Sequence, residues 1–303
     1  MRIGWLGLGA MGGPMAACLA RAGHQVHGYD IAAGRAAALA GAGVHAASSI
    51  AAAVAGADLA AIMVATPAQL GQVLSGPDGV ASALPAGRIV LIMATVGPAA
   101  VGEAAARRAR RGVTVLDAPV SGGVSRAAAG DLLIMVSGPA EAVDQARPVL
   151  DALARTAPVV GPAPGDGQRM KLVNQLLCGV HIAAAAEALA FAEALGLRPA
   201  DCWQVLRDGA AASFMFEDRG ARMVSGDFSP VRSALDIFVK DMGLVGAAAG
   251  DAGADTPLAR AAAQLYQRGH DLGLGRLDDA ALISVLRAAD GGRPVSPPGG
   301  VST

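Results

Sequence analysis

Six residues near the start of the chain, Gly7-Leu8-Gly9-Ala10-Met11-Gly12, have the spacing with which a backbone can wrap a diphosphate. The first glycine allows a tight turn, the second lets the main chain approach the phosphates, and the third lets a helix pack closely on the preceding strand. The free N–H groups and partial positive charge of the helix start then face the anion. An isolated pattern of this kind is weak, but here an apolar run at 3–6 precedes it and a helical run to residue 20 follows. The next apolar run ends at Asp30, roughly 20 residues beyond the last glycine, where a carboxylate takes ribose hydroxyls and repels a 2′-phosphate. NAD is therefore expected over NADP. A turn-capping role for Asp30 is the plainer alternative, and Arg35 nearby could accommodate a phosphate.

Polar residues stand out elsewhere against an alanine-rich background. Asp117-Ala118-Pro119-Val120-Ser121-Gly122-Gly123 follows an apolar run, and its Ser-Gly-Gly turn offers a hydroxyl and backbone amides to a carboxylate. An ordinary loop would look the same. Lys171 and Asn174 share one helix face at i and i+3. An ammonium partly withdrawn from water exchanges its proton nearer neutrality, which suits an acid/base, whereas a solvated surface lysine does nothing. Lys240-Asp241 reads equally as an exposed charge pair.

The elements that must position these groups come in two textures. Strand-like runs at 3–6, 25–29, 59–64, 89–93, 113–116, 132–136 and 158–160 alternate with helical stretches such as 49–55 and 98–111. This alternation predicts an α/β, Rossmann-type doubly wound parallel sheet over residues 1–163. After the turn-rich Gly161-Pro162-Ala163-Pro164-Gly165, with Asp166 as a candidate N-cap, one long helical pattern runs to about residue 195. Further helical stretches and no convincing strand predict an all-helical domain over 164–289, and the Gly/Pro/Ser-rich 290–303 reads as a disordered tail.

Composition narrows the function classes. Lys plus Arg (24) balance Asp plus Glu (25), so no net field favours nucleic acid or an anionic membrane. Cys18, Cys178 and Cys202 lack metal-ligand or disulfide spacing, so neither a metal site nor a disulfide frame is expected. Residues 1–20 look superficially like a secretion signal, but Gly7, Gly9, Gly12, Gly13 and Pro14 interrupt the helix a signal requires. The apolar stretch 178–197 contains His181, Glu187 and Glu193, which are costly in lipid. A cytoplasmic location is expected.

In order and spacing, the four polar motifs resemble the β-hydroxyacid dehydrogenase family, relatives of 3-hydroxyisobutyrate dehydrogenase, over about residues 1–289. The resemblance implies that Lys171 is the catalytic acid/base and Asn174 its positioning partner. It implies that Ser121, Gly122 and Gly123 bind the substrate carboxylate, and that Thr95 and Lys240 lie beside cofactor and substrate. A non-catalytic dinucleotide-binding module would not need Lys171 and Asn174. An imine reductase usually has another residue at the lysine position, and a phosphogluconate-type decarboxylase wants a basic pocket and a longer helical domain. Two departures stand out: Ile92-Met93-Ala94-Thr95 lacks a hydroxyl the family usually carries, and the usual Asn-Asn appears as Asn174-Gln175. The stretches Gln175 to Ile182, Ser213 to Arg219 and Ala234 to Asp241 are similar to the L-threonate dehydrogenase branch. That likeness implies a four-carbon sugar acid as substrate, with 3-hydroxyisobutyrate dehydrogenase or tartronate semialdehyde reductase activity as the alternative. The family also implies a homodimer or homotetramer, as do long apolar helices in need of partners. His181 either lines the same groove or is a satisfied interior histidine.

Overall fold

The computed structural model describes residues 1–76 and 78–289; the tail expected at 290–303 lies outside them. The chain folds as two compact units, Met1–Leu172 and a second beginning at Val173. In the first unit the strands are β1 (Arg2–Leu6), β2 (Gln25–Tyr29), β3 (Val44–Ala46), β4 (Leu59–Ile62), β5 (Ile89–Ile92), β6 (Thr114–Asp117), β7 (Val120–Ser121), β8 (Leu132–Ile134), β9 (Val136–Ser137), β10 (Ala154–Thr156) and β11 (Val159–Gly161). The main sheet has the order β11-β9-β6-β5-β4-β1-β2-β3. Strands β1 to β6 are parallel to one another, with Leu6, Ile62, Ile92 and Asp117 in register.

Both faces of this sheet are covered, which is why β4 and β5 are apolar at every position. The period of two then divides the side chains between two cores. Ile3, Trp5, Leu59, Ile89 and Leu91 join one, while Leu6, Ala60, Ile62, Val90 and Ile92 join the other.

The sheet differs from the expected all-parallel array at one edge. The apolar run 132–136 divides into β8 and β9, which lie in different sheets. β9 pairs antiparallel with β6 through Asp117 and Ser137, and β8 joins β7 and β10 in a separate three-stranded sheet. Ser121 thus ends a short strand rather than sitting in a plain loop. β3 and β10 were not legible because only Val44 among their residues is fully buried, so neither shows an apolar stripe.

The helix Asp166–Ala194 begins in the first unit and continues into the second. The second unit adds helices Pro199–Leu206, Phe214–Ser225, Leu235–Ala252, Pro257–Asp271 and Ile283–Ala289. Among its described residues there is no strand, only an isolated bridge between Ala234 and Asp278. Phe238 stacks on Tyr266 at 5.2 Å, and the Tyr266 hydroxyl donates to the carbonyl of Gly179. A Cβ at Gly179 would lie 2.4 Å from Met242 Sδ, so glycine permits the long helix and Leu235–Ala252 to meet closely there.

Candidate active site

The parallel strands β1, β2, β4, β5 and β6 end on one edge of the sheet, and β1 is the strand at which chain order reverses. That crevice is where open α/β sheets bind ligands. The glycine loop lies there. Gly7 has φ +98°, and a Cβ on it would lie 2.3 Å from the carbonyl oxygen of Met63; one on Gly12 would lie 2.0 Å from the oxygen of Gly7. These two glycines fold the loop. A Cβ on Gly9, by contrast, would meet only Arg35 Nη1, at 3.8 Å. The space beside Gly9 is therefore the open part of the cradle. Leu8, Ala10 and Met11 complete the turn, and the helix Gly12–Arg21 starts from it without a side-chain cap.

Two contacts that sequence reasoning missed hold this loop. The Trp5 indole donates to the carbonyl of Gly7, and the Leu8 amide donates to Asp30 Oδ2 at 2.7 Å. Asp30 Oδ1 accepts from the Ala32 amide, and Arg35 pairs with the same carboxylate at 3.3 Å. Burial alone would raise the Asp30 carboxyl, but the Ala32 and Leu8 amides and the Arg35 guanidinium outweigh it and hold the pKa below the ordinary range. Asp30 stays anionic and has acceptor capacity beyond these contacts.

A second set of groups converges at the ends of β5, β6 and β9. Asp117 is fully buried; its Oδ2 accepts from the amides of Gly165 and Gln168, and its Oδ1 from Gln168 Nε2. Gln168 Oε1 accepts from the amides of Val96 and Gly97, and its Nε2 also donates to the carbonyl of Ala94. The Ser137 hydroxyl accepts from the Gly167 amide. The capping role expected of Asp166 is thus filled from other strands, by Asp117 and Ser137. Asp166 itself accepts from the Ala163 amide. This network fixes the start of the long helix and both neighbours of Thr95, which is half-buried after β5. Lys171 follows Gln168 by about one turn and is only 6% exposed. It is not a solvated surface lysine.

Ser121 ends β7, and the helix Gly123–Ala129 starts immediately afterwards. Gly122 and Gly123 have φ of +141° and +77°, which require glycine, and the space beside Gly123 is open. The turn presents the uncapped amides of a helix start, as a carboxylate-binding turn must.

The remaining candidates belong to the second unit. Asn174 Nδ2 donates to Gln175 Oε1 at 2.8 Å and to Cys178 Sγ at 3.3 Å. Gln175 Nε2 donates to Asp241 Oδ2, and Lys240 Nζ lies 2.8 Å from Asp241 Oδ1. His181, half-buried, lies farther along the same helix.

Residues 2–161 match the family described as the NAD-binding domain of 6-phosphogluconate dehydrogenase. Residues 165–286 match the one described as NAD-binding of NADP-dependent 3-hydroxyisobutyrate dehydrogenase. L-Threonate dehydrogenase of Cupriavidus necator is 41% identical over 284 residues, covering 94% of this chain and 95% of that protein. The crystal structure of a 3-hydroxyisobutyrate dehydrogenase from Salmonella typhimurium is 40% identical with a TM-score of 0.87, covering 93% of this chain and 99% of that one. Psf3, solved with NADP+ and 2-OPP, is 27% identical with a TM-score of 0.88, covering 94% and 99%. The glycine cradle, open where a diphosphate must approach and closed elsewhere, fits the nicotinamide dinucleotide these matches imply. On fold, cradle and sequence together, the chain belongs to the 3-hydroxyisobutyrate dehydrogenase-like family of β-hydroxyacid dehydrogenases, nicotinamide-dependent oxidoreductases that act on CH–OH groups.

Proposed function

We propose that this chain oxidises L-threonate to 2-oxo-tetronate with NAD, using Lys171 as the acid/base. The observation that carries the reading is the burial of Lys171 one turn past a helix start clamped by Asp117 and Gln168 to the strand ends of the cofactor cradle. A bound nicotinamide dinucleotide supplies the hydride acceptor. Lys171, as the neutral amine, takes the proton of the substrate hydroxyl and afterwards carries it as an ammonium. Its positive charge then offsets the negative charge that develops on the oxygen. Ser121 and the Gly122 and Gly123 amides hold the substrate carboxylate, with Thr95 beside the reacting carbon. Asn174 orients the amine, and Lys240 serves cofactor and substrate. Asp30 takes the adenine-side ribose hydroxyls and disfavours a 2′-phosphate, while its pairing with Arg35 engages a nearby cation that would attract such a phosphate.

L-Threonate is favoured by the similarity to the Cupriavidus enzyme, and 3-hydroxyisobutyrate by the Salmonella one. We read the chain as a cytoplasmic homo-oligomer. Comparing kcat/KM for the two acids, each with NAD and with NADP, tests the substrate and cofactor together. L-Threonate with NAD is expected to lead by a wide margin, and equal use of both dinucleotides would refute the Asp30 assignment. Lys171→Ala is expected to lose about 10²–10⁴-fold in kcat while still binding NAD. Lys171→Arg fails as well, because a guanidinium keeps its proton at working pH. Near-normal turnover in Lys171→Ala would end the mechanism.

A further inference from the structure

Four polar side chains in the second unit form one continuous chain, Asn174–Gln175–Asp241–Lys240. The two ends carry roles in the reading above; the two middle members do not. We propose that Gln175 is a positioning residue that, driven by the Asp241 carboxylate, fixes which way round the Asn174 amide is held. This inference rests on Asn174 serving the reaction, and extends that role to residues with none assigned.

The available donors and acceptors fix the sense of each amide. Asp241 is 2% exposed, and an ionised carboxylate only accepts. Gln175 must therefore turn its NH2 toward Asp241, which leaves its carbonyl oxygen facing Asn174. That oxygen also only accepts, so Asn174 must present Nδ2 to it, and the second Nδ2 hydrogen goes to Cys178 Sγ. With both N–H groups committed, the remaining polar atom of the Asn174 side chain is Oδ1, an acceptor. An acceptor one turn from Lys171 can receive a hydrogen bond from the amine or from the substrate hydroxyl. An NH2 group in its place would compete for the amine lone pair that takes the proton. Asp241 thus sets the sense of two amides in series, and buried networks of this kind stand or fall together.

The reach is built into the helices. Gly179, one turn past Gln175, admits the Met242 sulfur, so the helix Leu235–Ala252 lies close enough for the long Gln175 side chain to meet Asp241. The other Asp241 oxygen is paired with Lys240 by charge at 2.8 Å without hydrogen-bond alignment, and no described residue donates a hydrogen bond to it. The Gln175 amide is therefore the aligned hydrogen bond that holds the carboxylate.

Two variants test this. Gln175→Met keeps the length of the side chain and removes both its donor and its acceptor. Asp241→Asn keeps the shape and removes the charge that dictates direction. In each, kcat is expected to fall about 10- to 100-fold, with KM for NAD changed less than about 3-fold. In the cofactor-free protein, the Asn174 side-chain NH2 resonances are expected to lose their protection from solvent exchange, a signature that a merely structural role would not alter. If Gln175→Met fails to fold, Asp241→Asn carries the test. Unchanged kcat and unchanged Asn174 exchange in a folded variant would overturn the proposal. If Lys171→Ala cripples turnover in parallel, only the relay falls; if Lys171→Ala is also fully active, the whole mechanism falls with it.

Discussion

Asp117 shows how a single buried group serves the fold and taxes it at once. Desolvation raises its pKa from the ordinary 3.8 to about 6, against the opposing hydrogen bonds of Gln168, Gly165 and Ser137. A carboxyl with a raised native pKa binds its proton more tightly when folded. Its contribution to stability is therefore complete below about pH 3.8 and is lost as the pH climbs through about 6. Asp279 in the second unit is also raised to about 6 by burial, so the wild-type curve alone does not isolate Asp117. The informative quantity is the stability of wild type minus that of Asp117→Asn, from urea unfolding at several pH values. It is expected to fall between pH 4 and 6 and to level off above about 7, with the variant also losing about 1–3 kcal/mol from unpaired amides. A pH-independent difference would show that Asp117 does not titrate as described. Sequence reasoning could single out Lys171, Asn174 and the glycines as candidates because residue type and local spacing carry the chemistry proposed for them. It could not assign roles to Asp117, Gln168 or Gln175, because Gly165 for Asp117, Val96 for Gln168 and Asp241 for Gln175 are 48 or more residues away along the chain. Nothing local marks such a residue.

At the scale of the element, the glycine loop separates folding from binding. Gly7 and Gly12 each lie where a Cβ would collide with backbone oxygen, and backbone cannot step aside as a flexible side chain can. Gly9 meets no such obstacle. Gly12→Ala is therefore expected to lower Tm by several degrees, whereas Gly9→Ala should melt as wild type does and yet bind NAD at least 10-fold more weakly. Thermal melts and fluorescence titration with NADH, run on the same two samples, read the two effects apart. A Gly9→Ala variant with normal affinity would remove that residue from the diphosphate site. The strands that carry the loop were legible because β1, β4 and β5 are buried apolar runs bounded by turn residues. The antiparallel edge was not legible. Leu132 to Ser137 reads as one strand, and only Met135, whose amide donates to the carbonyl of Pro119, shows that the chain leaves one sheet for another.

At the scale of the whole molecule, the helix Asp166–Ala194 is apolar on more faces than one chain covers. Leu172, Ile182 and Leu189 are buried, but Met170, Val173, Leu177 and Phe191 are 46%, 59%, 49% and 62% exposed, and Leu195 just past its end is 59% exposed. A helix apolar all round is normally covered, and spacings of three, four, fourteen and four put these residues in one stripe. By length and composition this helix could also cross a membrane, with half of its most apolar window buried in the protein. A bilayer would still have to take in Glu187, or Arg169 and Lys171, at a cost of a few kcal/mol for each charge. A second copy of the chain would not, because charged residues can stay at the rim while the apolar stripe is covered. Fully burying Phe191 and Leu195 contributes about 1.5–3 kcal/mol each, or roughly 10²–10⁴-fold in the association constant for the pair. Light scattering after size exclusion is expected to find the wild type as a dimer or larger at micromolar concentration. The double variant Phe191→Asp, Leu195→Asp should elute as a folded monomer with an unchanged circular dichroism spectrum. A wild-type monomer that floats with liposomes would turn the argument toward lipid; one that stays in solution would leave the stripe without the partner its surface demands.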